Sequence, residues 1–357
     1  MISMPDSLSR SGDLSAIARK YPVKGLDVGT MNLVSATDIG GKELELRKIR
    51  HVFLEIDRNI FAEKVFKDQK IKYAEINSRL FALGDSAFDI AKRMNTTVKR
   101  PMKAGVMNYS ENVGEIILSV MIHSLIGGAR EGGEVCCYSI PSDPFDAKFN
   151  VIYHKGIIAD VLSSMGYTPL AFKEAQAVVY SELAPEQFTG IGISFGGGMI
   201  NVSLNLLGRN LFDFASIRGG DWIDENVAMA LDLQQSRITD MKETEVDLLE
   251  PKTRVDKAMV IYFKDVFSYL LKAISKRLSL SLEKHPELEE GVTIVSAGGS
   301  VQSRGFIELF REEARHIRFP VRINDLRAGT DLLNTTAKGC FINAFTKYYL
   351  KEKNERR

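Results

Sequence analysis

The sequence predicts an α/β protein of two related halves. Apolar strand-like runs alternate with helical patterns along the chain, which is how sheets covered by helices read. Two glycine-rich hairpins of the same plan, GLDVGTMNLVSA and GISFGGGMINVSLN, begin at residues 25 and 192, 167 residues apart and close to half the chain. The 357 residues are 45% hydrophobic and 26% charged, enough apolar material for two cores.

Taken in order, residues 1–20 are polar and read as a loose arm, with Leu14 and Ile17 offering one amphipathic turn. Arg10, Arg19 and Lys20 there read as solvated charge in preference to lipid contacts. From Val23 the chain gives a strand, a tight turn and a second strand. Residues 41–78 are charged and mixed, with ELELRKIRHVFLEI alternating as strands do. Helices are expected over 86–94 and 111–125. EVCCYSIPS is a buried strand ending at Pro141, a helix over 147–165 stops at Gly166, and YTPLAFKEAQAVVYSEL gives a short strand and a helix. After the second hairpin, GGDWIDENVAMALDL is a helix opened by Asp221. The strongest helix spans 255–282, where Met259, Phe263, Val266, Leu270, Ile274 and Leu278 recur at spacings of three and four. VTIVSAGGS is a buried strand ending in a glycine turn, PVRIN is a strand, and a helix begins at Thr335.

Composition excludes several classes. Lys and Arg number 47 against 46 Asp and Glu, a net charge of +1, so nothing points to nucleic acid. Cys136, Cys137 and Cys340 lack metal-ligand spacing and read as small apolar core residues of a reduced protein. The five His are scattered, without an HExxH pair. No apolar run reaches the roughly 18 residues of a membrane span, and the N-terminus lacks the pattern of a secretory leader.

The chemistry lies in the glycine turns. Without Cβ atoms, backbone N–H groups can approach an anion, and two facing turns would clamp a polyphosphate from both sides. Asp27, Gly29, Thr30, Met31 and Asn32 surround the first bend; Asp27 suits a hydrated magnesium ion, and Thr30 and Asn32 can donate to phosphate oxygens. Gly196, Gly197, Gly198 and Met199 supply N–H groups in the second, and Gly298 and Gly299 form a further pair after a buried strand. Three competing readings fail. Gly192 to Gly196 matches G-x-S-x-G around Ser194, but a nucleophile elbow leads into a helix, whereas Asn201 to Leu206 alternates like a strand. No Gly-Lys-Ser/Thr run marks a P-loop. The Gly190, Gly192, Gly196 spacing misses the dinucleotide fingerprint by one residue.

Six motifs in one order resemble the actin-like ATPases, and within them the bacterial cell-shape protein MreB, over about residues 24–345. GLDVGTMN resembles the first phosphate motif and ALGDSA with RPMKAGVMNYSE a stretch particular to MreB relatives. KEAQAVV resembles the interdomain helix, GISFGGGMINV the second phosphate motif, RGGDWIDENV the helix start beneath the nucleotide, and VSAGGSVQSRGF the adenosine motif. The resemblance implies a two-lobed fold of duplicated RNase H-like domains with ATP or ADP in the interlobe cleft. One lobe would span 21–182 with 328–350 and carry a small subdomain at about 40–78. The other would span 183–327 with a reduced subdomain at about 237–254, and 351–357 would be a charged tail. Magnesium would sit near Asp27, through water, and Glu174 would orient the attacking water. Gly298, Gly299 and Ser300 would approach adenine or ribose, Gly220 and Asp221 the sugar and phosphates, and Lys242 and Glu245 the adenine side.

Two departures shape the expected function. Ser194 stands where the family's second phosphate motif begins with Asp. Positioning and electrostatics carry phosphoryl transfer, so this loss should slow hydrolysis more than it weakens binding. The segment between Asp221 and Gly298 is also short, and KETEVDLLEPKTR reads as a charged loop. The leading expectation is an ATP- and magnesium-binding cytoskeletal protein that self-associates into filaments and hydrolyses ATP slowly. It would be cytoplasmic, with the inner face of the membrane as the alternative position. A nucleotide-loaded, non-polymerising adaptor for membrane-associated proteins is the second reading. A small-metabolite kinase of the same fold ranks third.

Overall fold

The computed structural model describes residues 23–39, 43–130 and 133–355; the arm expected over 1–20 lies outside them. In chain order the first half contains strands β1 (Val23–Val28), β2 (Asn32–Ile39), β3 (Glu43–Arg50) and β4 (Phe53–Ile56), helix α1 (Ile60–Asp68), strands β5 (Tyr73–Ile76) and β6 (Arg79–Leu83), and helix α2 (Gly84–Arg93). Short strands β7 (Met102–Lys103) and β8 (Val106–Met107) follow, then α3 (Gly114–Ile126), β9 (Val135–Ile140), α4 (Ile152–Ser164), β10 (Thr168–Lys173) and α5 (Glu174–Glu182). The second half runs β11 (Gly190–Phe195), β12 (Ile200–Leu206), β13 (Arg209–Ser216), α6 (Gly220–Leu231), α7 (Gln235–Thr244) and α8 (Arg254–Leu282). It closes with β14 (Val292–Ala297), α9 (Phe306–Arg315), β15 (Ile323–Ala328) and α10 (Thr335–Glu355).

The duplication seen in the sequence is a duplication of topology. One five-stranded sheet has the order β3-β2-β1-β9-β10 and the other β13-β12-β11-β14-β15. In each, an antiparallel meander of three strands is extended by two strands parallel to the first. Val28 faces Leu33 across the first hairpin and Phe195 faces Ile200 across the second, both pairs offset by the same 167 residues.

Two helices exchange sheets. α5 leaves the first sheet from β10 but packs on β11, β12 and β14, whereas α10 leaves the second from β15 and packs on β1 and β9. Glycines allow the close approaches. A Cβ at Gly25 would stand 2.1 Å from Ala337 O on α10, and one at Gly192 would stand 2.4 Å from Ala175 O on α5. The two helices cross where a Cβ at Gly339 would lie 1.9 Å from Ala177 O. The outer face of the first sheet carries α3 and α4, with Leu26, Leu33, Ile117, Met121 and Ile158 in its core. The second core joins β11 and β12 to α8 and α9, where Phe195, Phe263, Phe267, Phe306 and Phe310 pack tilted or edge-to-face. β4, β6 and β5 form a small sheet that packs with α1 and α2 on its own core.

Several local expectations shift. The helix expected over 147–165 begins only at Ile152, because the Asp143 and Asn150 carboxyl and amide oxygens take the N–H groups of Val151 and Ile152 in turns. The final strand starts at Ile323, not at Pro320. α1, α9 and β13 have no counterpart among the expected elements. The segment expected to be mostly a charged loop, 242–254, is irregular after the end of α7 at Thr244; it is tied by Asp247 and by a capping box in which Thr253 and Asp256 hold the start of α8. α6 opens one residue early, at Gly220. All three cysteines are buried and free.

Candidate functional site

The two glycine turns are closed by the same hydrogen bond. Gly29 N–H donates to Asn32 O at 3.1 Å, and Gly196 N–H donates to Met199 O at 2.9 Å. The turns meet at their tips: a Cβ at Gly197 would lie 2.6 Å from Met31 Cγ, and one at Gly198 would lie 2.4 Å from Thr30 Oγ1. Behind the first turn, fully buried His51 holds two of its carbonyls: its backbone N–H donates to Met31 O and its Nδ1–H donates to Gly29 O. Behind the second, the N–H groups of Gly220 and Asp221, at the start of α6, donate to Gly196 O and Gly197 O. Thus Gly29 O, Met31 O and Asn32 O in the first turn, and Gly196 O, Gly197 O and Met199 O in the second, each accept a hydrogen bond. The N–H groups of Thr30, Met31, Gly197, Gly198 and Met199 have no backbone partner among the described residues, although Thr30, Gly198 and Met199 are buried. Leaving such a group unpaired costs about 1–3 kcal/mol, so the arrangement fits an anion that supplies the missing oxygens.

Beside the turns, two polar groups of the second sheet converge on one carboxylate. Glu174, at the start of α5, accepts from Asn201 Nδ2 at 2.9 Å and from Ser194 Oγ at 3.3 Å. Asn201 Oδ1 in turn accepts from Ser142 N–H at 2.8 Å. Asp27 accepts from Ser139 Oγ at 2.8 Å, and the same hydroxyl takes the Val28 N–H. Burial pushes the Asp27 carboxyl well above the ordinary carboxylate range. It pushes Glu174 higher still, with the Asp27 charge adding to the effect and the Ser194 and Asn201 donors opposing it. Two carboxyls so placed keep a proton at neutral pH unless a cation joins them, and a hydrated magnesium ion taking few protein ligands suits them.

The chain as a whole matches a family model described as Volactin over residues 23–344. It belongs to the Volactin family. Solved structures share the fold across nearly the full length. A MamK double helical filament aligns with a TM-score of 0.69 at 16% identity, covering 91% of this chain and 98% of that one. MreB5 of Spiroplasma citri bound to AMPPNP gives 0.61 at 14%, covering 94% and 99%. The ethanolamine utilization protein EutJ from Carboxydothermus hydrogenoformans gives 0.52 at 12%, covering 94% and 100%. No curated protein sequence matches. This Volactin-family chain therefore shares the two-lobed fold of these structures.

The remaining expected residues spread around the second turn. A Cβ at Gly220 would stand 2.9 Å from both Lys242 Nζ and Ser300 Oγ, which places these three together. Lys242 is engaged: its ammonium donates to Gly220 O at 3.1 Å and pairs with buried Asp224 at 2.8 Å. Gly298 adopts φ +106°, where a Cβ would strike Phe195 O, and its N–H donates to Leu332 O; Gly299 and Ser300 continue into a short 3-10 turn. Glu245 lies exposed at the C-cap of α7. Asp221 does not cap α6 but pairs with Arg100 at 2.7 Å. Sequence reasoning assigned no role to Asn201, Ser139, His51 or Arg100. The signal for Ser139 was available, since it is polar inside an otherwise apolar buried strand; Asn201 shares its strand with buried Ser203 and Asn205 and does not stand out in that way.

Proposed function

We propose that the chain binds ATP with magnesium between its two glycine turns and that nucleotide-driven closure of the lobes biases it toward self-assembly into filaments, with slow hydrolysis. The observation that carries this is the meeting of two equivalent turns, tip to tip, with unpaired buried N–H groups and the Asp27–Glu174 pair beside them. The neighbours support it: one is a filament and another is bound to AMPPNP. The turn N–H groups would hold phosphate oxygens, Asp27 a hydrated magnesium ion that supplies charge neutralisation, and Glu174 the position of a water. Gly220, Ser300 and the Gly298 turn would border the nucleoside. Glu174 is held by two neutral donors from the second sheet where a carboxylate would supply charge, and this favours binding over turnover. In the same way it supports a non-polymerising adaptor as the second reading.

Calorimetry with magnesium and ATP tests binding, and loss of any association at millimolar nucleotide would end the proposal. Sedimentation and electron microscopy with and without ATP separate the two readings. ATP-dependent pelleting of filaments supports the first, and an unchanged monomer or dimer the second.

A further inference from the structure

Arg100 stands beside both glycine turns and takes no part in the roles described so far. Its NH1 donates to Asp221 Oδ2 at 2.7 Å, across 121 residues of sequence. Asp221 N–H binds Gly197 O at 2.8 Å, and its Oδ1 lies 3.5 Å from where a Gly197 Cβ would stand, a point also met by Met31 of the first turn. The guanidinium also acts on His51, the residue that clamps the first turn. One cation therefore lies within a side chain's reach of both tips.

Two other cations of this region are committed elsewhere. Lys242 is tied to Asp224 and Gly220 O, and Lys173 to Pro141 O and Asp213. Neither glycine turn contains a Lys or Arg. A polyphosphate held by the turns would thus bring several negative charges next to Asp27, Glu174 and Asp221, more than the proposed magnesium ion and the backbone dipoles compensate alone. A guanidinium has five N–H donors in a planar fork, and the Asp221 bond uses one nitrogen. The rest of the fork suits phosphate oxygens, which Arg binds with charge-assisted hydrogen bonds.

We infer that Arg100 is a phosphate-binding residue of the interlobe site, held at the two turns by Asp221 and shared between that carboxylate and the phosphate chain of the ligand. The inference rests on the nucleotide-binding proposal for that site. In the alternative, Arg100–Asp221 is only an interlobe tie, and breaking it from either side has the same effect.

The test compares wild type, Arg100→Ala, Arg100→Lys and Asp221→Asn by calorimetry with magnesium ATP and by thermal stabilisation with inorganic tripolyphosphate and with adenosine. Circular dichroism confirms that each variant folds. Arg100→Ala should weaken ATP and tripolyphosphate about 10- to 100-fold and leave adenosine unchanged. Arg100→Lys should recover part of the loss, and Asp221→Asn should bind tripolyphosphate at least as well as wild type. Binding of ATP by Arg100→Ala within about two-fold of wild type, or equal losses in Arg100→Ala and Asp221→Asn, overturns the inference and leaves the nucleotide proposal standing. Wild type stabilised by tripolyphosphate in an Arg100-dependent way but indifferent to ATP would keep the phosphate site and remove the nucleotide. Wild type indifferent to both ligands overturns both.

Discussion

At the scale of single residues, Ser194 and Glu174 are joined by a hydrogen bond at the proposed nucleotide site. The Ser194 hydroxyl donates to Glu174, so replacing it by Asp exchanges a donor for a third carboxylate beside two that already resist ionisation. Ser194→Asp should raise steady-state phosphate release while lowering the melting temperature of the metal-free protein, with magnesium and ATP restoring it. A brisk wild-type rate would remove the reason for the first effect. The carboxyl pair also predicts a pH dependence. In the unfolded chain both groups ionise near pH 4, whereas in the fold Glu174 holds its proton up to about 8. A raised folded pKa stabilises fully below the unfolded value, and that stabilisation is lost as pH rises through the folded one. Urea unfolding of the metal-free protein should therefore show this contribution declining from about pH 4 toward pH 8. Glu174→Gln should flatten the slope over that window.

Among the elements, the crossing of α5 and α10 is the tightest contact. Gly339→Ala would normally favour a helix by about 1 kcal/mol. Here the added methyl would sit 1.9 Å from Ala177 O, a backbone atom that cannot swing aside. Overpacking of this kind costs about 1–3 kcal/mol and can exceed that, so the steric term outweighs propensity. The substitution should lower stability in urea and disturb nucleotide response, since both helices link the sheets. Such a crossing is not visible as a pattern: Gly339 lies within a helix that reads as continuous, and only packing explains it. The strands and helices themselves were legible where one face is apolar, as in α8, whose buried Met259, Phe263, Val266, Leu270, Ile274 and Leu278 follow the predicted stripe. α1, with Ile60 largely exposed, and β13, with only its last three residues buried, lack such a face and were missed.

For the whole molecule, the two halves are joined by ion pairs as well as by the exchanged helices. Arg50 of β3 pairs with Glu243 at 3.2 Å, and Lys92 of α2 with Asp240 at 3.4 Å, both acidic partners lying on α7. These pairs are partly exposed, so each adds little to global stability. An equilibrium between open and closed lobes is more sensitive, because a modest differential energy shifts it several-fold. Joint replacement of Asp240 and Glu243 by Ala should leave the melting temperature nearly unchanged and speed nucleotide release on the order of two- to five-fold. High salt should produce a similar acceleration in wild type and little in the variant. Equal release rates in stopped flow would show that α7 does not hold the mouth closed.

The sequence by itself determined a duplicated α/β architecture, the place of both glycine turns and the likeness to actin-like proteins, because strand alternation, helical stripes and turn glycines are local and repeat with one offset. Asp27, Glu174 and Ser194 were singled out by their motifs. Only the tertiary structure decided that Asn201 joins Ser194 on Glu174, that His51 clamps the first turn, and that Arg100 meets Asp221. Those contacts join residues 20 to 121 positions apart. They depend on how sheets, loops and lobes pack, and no periodicity along the chain encodes which side chains will meet once those surfaces close.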